Sequence, residues 1–263
     1  MIDLLWWMVL AVAALYGAVI GSFLNVISLR YAAQLSDRQS LLSVVGGRSR
    51  CPHCEQTLRW WELVPIVSFV FLRGKCQRCQ QKISYQYPLI ELLMAVITVG
   101  IVARAGVTLA SIGLAVISAL LLVLASIDFK TFLLPDVFII VLTGAVAVTL
   151  GLQGRLFEYM VLGGIGVGAG FLLLLWVITR GRGIGLGDVK LLVPLGMLFG
   201  TYDTILLLFM AFGGGGLVGI FLLLRGGATL KTAVPFGPFL IAATVLLLLW
   251  PELSATFFSL FAL

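Results

Sequence analysis

The chain has 263 residues, of which 61% are apolar and only 11% are charged. Soluble domains are nearer half apolar and a quarter charged, so this composition excludes a single water-soluble globule and an intrinsically disordered chain. It predicts a polytopic membrane protein. The net charge is +6, and the segment from Arg30 to Lys82 accounts for that excess and holds all four cysteines.

Eight apolar runs follow one another along the chain. A helix needs about 20 apolar residues to cross a hydrocarbon core about 30 Å thick. We therefore predict an all-α fold with about eight transmembrane helices and a small cytoplasmic insertion between helices 1 and 2. The runs are 4–27, 87–102, 107–127, 137–152, 159–179, 189–200, 204–224 and 234–250.

The basic residues predict the orientation of these helices. With eight spans, the loops near 28–86, 128–136, 180–190 and 225–233 share one side, and they carry fifteen of the 17 Lys and Arg residues. Loops rich in Lys and Arg stay in the cytoplasm. We expect a bacterial-type inner-membrane protein whose two termini face the periplasm.

Two Cys-x-x-Cys motifs, Cys51–Cys54 and Cys76–Cys79, are separated by twenty-one residues. This spacing is typical of a tetrahedral zinc site with four thiolates, which has no open position and stabilises a small domain. A pair of redox disulfides or an iron–sulfur site is the alternative. We expect domains at 1–27 (first transmembrane helix), 28–86 (zinc-binding domain) and 87–263 (seven-helix membrane domain).

The basic charge of the insertion has several interpretations. It is typical of retention in the cytoplasm, and it also suits anionic lipid headgroups or an acidic segment. We expect the bilayer as a partner and no nucleic acid.

Two aspartates stand at the boundary of apolar runs. Asp128 ends one run and Asp188 begins another, and the parity of the spans brings both to the cytoplasmic face. Carboxylates inside a membrane are costly, so each is a functional candidate. Two that share a site can activate water and protonate a scissile carbonyl. Alternatively, Asp188 caps a helix and Asp128 is a solvated helix end, or the pair relays protons in a transporter. Capping also explains Asp136.

Several motifs in a fixed order resemble one family, the type IV prepilin peptidases. They extend along most of the chain and comprise Gly21–Arg30 (GSFLNVISLR), the two cysteine pairs, Tyr87–Leu93 (YPLIELL), Asp128 with Leu134–Asp136 (LPD), Gly185–Lys190 (GLGDVK) and Pro235–Phe239 (PFGPF).

The resemblance implies that Asp128 and Asp188 are the catalytic aspartates of a Gly-x-Gly-Asp-type intramembrane protease. The expected substrates are prepilins or pseudopilins of type IV pilus and type II secretion systems, with a short basic leader that ends in Gly. Cleavage follows that Gly on the cytoplasmic side. In bifunctional members the new N-terminal amine is then methylated with S-adenosylmethionine. A leader peptidase without methyltransferase activity is the alternative.

The methyl donor has no obvious site, because no strand–glycine-turn–helix pattern of a soluble nucleotide-binding fold is present. Polar groups at the edges of apolar runs are the candidates for its binding, and they are Asn25, Arg30 and Glu91. Asn25 is equally explained by a hydrogen bond between helices, and Arg30 by an anchor at the membrane interface. Glu91 lies about one turn inside an apolar span and needs a partner.

Overall fold

The computed structural model describes residues 2–37, 46–225 and 234–260, and the regular secondary structure in these ranges is helical. The expectation of an all-α protein is confirmed for this part of the chain. The helices are α1 (Ile2–Asp37), α2 (Val67–Phe71), α3 (Gln86–Ala105), α4 (Leu109–Thr131), α5 (Asp136–Leu152), α6 (Tyr159–Thr179), α7 (Leu186–Leu224), α8 (Gly237–Leu249) and α9 (Glu252–Leu260), with a 3₁₀ turn at Trp60–Leu63.

Five of the described helices, α1, α3, α4, α6 and α7, are long and apolar enough to cross a membrane. The count becomes six if α8 and α9, which are bent by 98°, form one broken span. Helix α5 is apolar but shorter, with 17 residues. The predicted number of eight spans is higher than this count for two main reasons. Helix α5 is too short to be counted as a span, and two of the predicted runs form the single long helix α7.

Helix α7 contains the two predicted runs 189–200 and 204–224. A straight helix of its 39 residues would extend for about 58 Å, nearly twice the hydrocarbon thickness. The helix is instead interrupted at Gly200, whose φ of 71° and ψ of −171° are not helical. Glycine adopts this backbone conformation without a steric penalty, so the residue type permits the break.

The chain forms two compact units, residues 1–111 and 112–263. In the first unit, which includes the cysteine motifs, α1 packs closely on α3. A Cβ at Gly17 would lie 2.7 Å from the Met94 carbonyl oxygen, and one at Gly21 would lie 3.0 Å from Met94 Cβ. Small residues at these positions therefore permit close approach of the two helices. The division into the domains 1–27, 28–86 and 87–263 remains a prediction.

In the second unit, α6 packs on α7 through the glycine-rich stretch 163–170. A Cβ at Gly164 would lie 2.8 Å from Gly200 Cα, and one at Gly168 would lie 3.0 Å from the Thr204 side chain. The absence of side chains at both positions therefore permits close approach of the two helices. Fully buried leucines fill the core around this contact, among them Leu121, Leu142, Leu172, Leu191, Leu195 and Leu207.

Candidate functional site

Asp128 and Asp188 lie together in the second unit. Asp128 is in the last turn of α4, and Asp188 is in the first turn of α7. Only 4% of Asp128 and 8% of Asp188 are exposed, and the two carboxylates interact electrostatically. The predicted meeting of two carboxylates from different helices is therefore present. A buried pair of like charges is costly, which is typical of a functional site rather than of a structural contact.

Asp188 also stabilises the start of its own helix. Gly185 is the N-cap of α7, and its backbone N–H donates to the Asp188 carboxylate. Asp188 is thus the third helical residue, the position from which an acidic side chain reaches back to the N-cap amide in a capping box. The N-terminus of the helix also presents a partial positive charge to this carboxylate. The interpretation of Asp188 as the N-cap is wrong, because Gly185 holds that position, but the Asp188 carboxylate still accepts a hydrogen bond from the N-cap amide.

Asp128 faces the first residue of α8. The backbone N–H of Gly237 is directed at the Asp128 carboxylate, and a Cβ on Gly237 would lie 2.6 Å from Asp128 Oδ2. Oδ2 is buried without a hydrogen bond of normal geometry to the described residues. The alternative of a solvated helix end is therefore wrong, because the carboxylate is enclosed. A buried oxygen without a partner is rare in proteins and is often found where a reacting group binds.

Leu134 covers the glycines beside both aspartates. Its Cβ would be 3.1 Å from a Cβ on Gly187, and its Cδ1 would be 3.5 Å from a Cβ on Gly237. Sequence reasoning quoted Leu134 and Gly237 only as parts of motifs and assigned neither a role. Their proximity to the aspartates depends on contacts across helices, so no local pattern could reveal it.

Asp136 and Lys190 form an ion pair between α5 and α7. Lys190 Nζ donates to both carboxylate oxygens of Asp136, at 2.7 Å and 2.9 Å, and both side chains are about half exposed. The expectation that Asp136 caps α5 is wrong: Pro135 is the N-cap, and the cap has no side-chain hydrogen bond. Lys190 pairs with Asp136 and not with Asp188.

The four cysteines form one cluster in the first unit. Their Sγ atoms all lie within 4.8 Å of one another, and Cys51 Sγ is 3.8 Å from Cys79 Sγ. A disulfide requires about 2.05 Å, so these cysteines are thiols. Zinc–sulfur bonds of about 2.3 Å in a tetrahedron separate the sulfurs by about 3.8 Å. The donor set and its spacing therefore fit a zinc ion.

The two motifs form equivalent hairpins, which we call the first and second knuckle (residues 50–57 and 75–82). The Cys51 N–H donates to the Gln56 carbonyl at 3.0 Å, and the Cys76 N–H donates to the Gln81 carbonyl at 2.9 Å. The two knuckles thus repeat the same backbone pattern 25 residues apart. Each presents two thiols to a common centre.

The thiols of the second knuckle differ in acidity. The backbone amides of Cys79 and Arg78 lower the pKa of Cys76 to about 7. The Gln81 amide acts in the same direction on Cys79, but desolvation and the neighbouring thiols outweigh it and raise the pKa of Cys79 to about 11. Zinc binds thiolates, so its binding displaces protons from this cluster.

Two of the three candidates for methyl-donor binding lie between α1 and α3. Asn25 is 1% exposed; its Oδ1 accepts a hydrogen bond from Gln86 Nε2 at 2.9 Å, while Nδ2 is buried without a partner among the described residues. Glu91 accepts a hydrogen bond from the Ile66 N–H at 2.7 Å and another from the Ser22 hydroxyl. Asn25 thus makes the interhelical hydrogen bond that was its alternative interpretation. Sequence reasoning missed Gln86.

The third candidate, Arg30, contacts the chain that precedes the first knuckle. Its guanidinium donates to the backbone carbonyls of Gly46, Gly47 and Arg48. These contacts attach the beginning of the insertion to α1. These contacts give Arg30 a structural role, and its part in methyl-donor binding stays a prediction.

Comparisons with known proteins agree with the motifs. A family model described as the bacterial peptidase A24 N-terminal domain matches residues 15–105, and one described as the type IV leader peptidase family matches residues 115–220. Three similar curated proteins are each named prepilin leader peptidase/N-methyltransferase. The one from Burkholderia pseudomallei is 35% identical, covering 89% of this chain and 83% of the relative.

The protein from Pseudomonas putida is 33% identical, covering 92% of this chain and 91% of the relative. The protein from Bacillus subtilis is 30% identical, covering 95% of this chain and 97% of the relative. No solved structure matches the chain.

Proposed function

The chain belongs to the type IV leader peptidase family. From that premise we propose which of its residues carry out leader cleavage and which take part in N-methylation. It is an aspartic endopeptidase with N-methyltransferase activity, acting on prepilins. The transporter alternative has no support among these relatives.

The peptidase activity is assigned to Asp128 and Asp188. The observation that carries this assignment is their burial as an interacting pair at two helix ends. One carboxylate accepts a proton from a water molecule, whose oxygen attacks the carbonyl carbon of the scissile bond. The other, protonated, donates its proton to the carbonyl oxygen. When the C–N bond breaks, the first carboxyl passes the proton taken from water to the leaving amine, and the diol returns a proton to the second carboxylate. This chemistry requires no covalent enzyme intermediate.

The substrate bond is the one after the glycine that ends the basic leader. The pilin segment that follows is a hydrophobic helix within the bilayer, so its N-terminal bond lies near the membrane interface. Asp128 and Asp188 stand at the ends of membrane helices, which suits a bond at that depth. Gly185 and Gly187 lack side chains that would obstruct an extended peptide.

The methyl group comes from S-adenosylmethionine, as the names of the relatives imply. We assign its binding to Asn25 and Glu91 with Arg30 close to the insertion. The buried Nδ2 of Asn25 and the buried carboxylate of Glu91 support this assignment, because each offers a polar group that a bound ligand can complement. The carboxylate of Glu91 suits a cationic sulfonium or the amine that is methylated.

A zinc ion held by Cys51, Cys54, Cys76 and Cys79 is proposed to stabilise the insertion. The sulfur positions support it. Four thiolates leave no open coordination position, so the metal would fix the fold of the insertion and take no part in hydrolysis.

The protein is proposed to cross a bacterial inner membrane eight times. Helix α5 and the two halves of α7 then count as separate spans, and both termini face the periplasm. The distribution of Lys and Arg supports this orientation, and the break at Gly200 supports the division of α7.

The decisive experiment uses the purified chain with a prepilin, with and without S-adenosylmethionine, read by intact-mass spectrometry. We expect Asp128→Asn and Asp188→Asn each to reduce cleavage at least about a hundredfold, because either change removes a proton-transfer group. Asn keeps the shape of the side chain. Methylation of a pilin that is already cleaved is expected to continue in both variants.

The matched control is Asp203→Asn, because Asp203 is an aspartate of the same unit that hydrogen-bonds the Ser254 hydroxyl. Asn can still accept this hydrogen bond, so cleavage should be close to that of the unchanged protein. We call Asp128 and Asp188 the dyad. Normal cleavage by Asp128→Asn or by Asp188→Asn would refute the assignment.

A further inference from the structure

A surface pocket of about 290 Å³ lies beside the second knuckle. Three basic residues line it, Arg73, Lys75 and Lys82, and no acidic residue does. Phe69 and Tyr85 form an aromatic wall, with ring centroids 5.5 Å apart. The pocket therefore combines concentrated positive charge with an apolar surface.

The two lysines of this pocket are cross-strand neighbours and have no counter-ion in the part of the chain that the structure describes. Lys75 and Lys82 are paired in an antiparallel β-bridge, which places their side chains side by side. Like charges directly opposite in such a pair destabilise it. Neither the lysines nor Arg73 form an ion pair with any carboxylate in the described part of the chain. An anion bound between them would remove this repulsion.

Arg73 is held at the rim by an unusual backbone. Its φ is 51°, in the left-handed region that non-glycine residues rarely adopt, and the next residue, Gly74, has a φ of 67°. A Cβ on Gly74 would lie 3.1 Å from the Phe69 ring. Such strain persists where the surrounding structure fixes it, and it is often found at ligand sites.

The first knuckle is an internal comparison. Its equivalent β-bridge joins Arg50 to Thr57, so a threonine stands where the second knuckle has Lys82. The hairpin therefore forms without a second cation at this position. Formation of the hairpin therefore does not require Lys82, whose charge is left available for a ligand.

The position of the pocket along the chain indicates its ligand. Lys82 lies four residues before Gln86, where the membrane helix α3 begins. Val70, which lines the pocket, is 67% exposed, and the adjacent Phe71 is 83% exposed. Basic side chains beside exposed apolar ones at the end of a membrane helix are typical of the lipid headgroup layer.

We propose that this pocket binds the phosphate of an anionic phospholipid, with Arg73, Lys75 and Lys82 around the phosphate and Phe71 and Val70 in the adjacent apolar layer. The bound lipid would fix the insertion against the membrane surface. A basic leader peptide is unsuited to the pocket, because its charge has the same sign. The proposal depends on α3 being a membrane span and not on the assignment of either activity.

The test uses the full chain in nanodiscs that contain phosphatidylglycerol and phosphatidylcholine, with the retained lipid measured by native mass spectrometry. We expect preferential retention of phosphatidylglycerol. The variant Lys82→Thr copies the first knuckle, so the hairpin should still form. It should weaken retention about fivefold, and Arg73→Gln with Lys75→Gln should weaken it further. Zinc content verifies that the knuckles are intact.

The matched control changes the arginines 25 residues before Arg73 and Lys75, as Arg48→Gln with Arg50→Gln. It removes the same charge as Arg73→Gln with Lys75→Gln. Retention of phosphatidylglycerol by this control, together with its loss in Lys82→Thr, supports the proposal. Equal loss in the control and in the pocket variants would overturn it in favour of general attraction by a basic domain. Displacement of the lipid by millimolar inorganic phosphate or by an acidic peptide would also overturn it.

Discussion

At the scale of single residues, Asp188 combines two roles in one carboxylate. It accepts a hydrogen bond from the N-cap amide of Gly185 and it interacts with Asp128. Replacement by alanine removes both roles, including an N-terminal stabilisation of α7 of up to about 1 kcal/mol. Replacement by asparagine keeps an acceptor for the amide while removing the acid. The isosteric variant therefore separates chemistry from folding more cleanly than the truncation does.

Gly237 lies against Asp128, and Gly237→Ala tests that contact. A Cβ there would lie 2.6 Å from Asp128 Oδ2, so the carboxylate must shift. Misplacement of a reacting group by about 1 Å costs about a hundredfold in rate. We expect leader cleavage to fall by at least about tenfold, measured as kcat/KM on a purified prepilin.

Methylation of a cleaved pilin provides the control readout for this variant and should be unchanged. Gly144→Ala is the matched substitution, because a Cβ at Gly144 meets no atom within 4 Å. Equal activity of the two alanine variants would contradict a role for Gly237 in positioning Asp128.

At the scale of the elements, the two knuckles are expected to fold only around a metal. We predict one zinc per freshly purified, reduced chain and less than about half an equivalent for Cys76→Ser, because three thiolates bind the ion more weakly than four. Elemental analysis by mass spectrometry measures this stoichiometry. His53→Ala should leave the zinc content unchanged, because the sulfurs of the four cysteines already form a complete set. Full zinc occupancy in Cys76→Ser would contradict the four-thiolate site.

Contacts between helices show what the sequence pattern could not predict. The positions of most helices and the cysteine cluster followed from hydrophobic runs and from spacing, which are local signals. The extension of α1 to Asp37 did not, because its last turns lie beyond the apolar run. The partner of Asp136 did not, because Lys190 lies 54 residues away and either residue alone is explained by a local role. The position of Leu134 over both glycines was equally invisible, since it depends on how three helix ends meet. Burial of Asp128 needed the structure for the same reason.

At the scale of the whole molecule, the orientation of the helices in the membrane is a prediction. Fifteen of the 17 basic residues lie in loops that eight spans would place on one side. We expect alkaline phosphatase fused after Leu263 to be active, because that enzyme folds in the periplasm. The same reporter fused after Arg182, between α6 and α7, should be inactive, and a fluorescent protein there should be bright.

The reverse pattern at either fusion point would contradict the proposed orientation. An odd number of spans between the two points gives opposite compartments, so this pair of reporters also tests how α7, α8 and α9 divide into spans. Their lengths alone allow more than one division, because hydropathy does not distinguish a broken span from two short ones.

Enclosure of the dyad has a consequence for the rate of the enzyme. With Asp128 and Asp188 almost fully covered, water and a peptide reach them only after the residues around them move, and Leu134 packs against the glycines beside both. The exposed ion pair between Asp136 and Lys190 that joins α5 to α7 is worth no more than about 1 kcal/mol. Thermal motion therefore separates these residues without unfolding any helix. Local motions of this kind take on the order of microseconds to milliseconds, so turnover depends on how often this corner opens as well as on the chemical step.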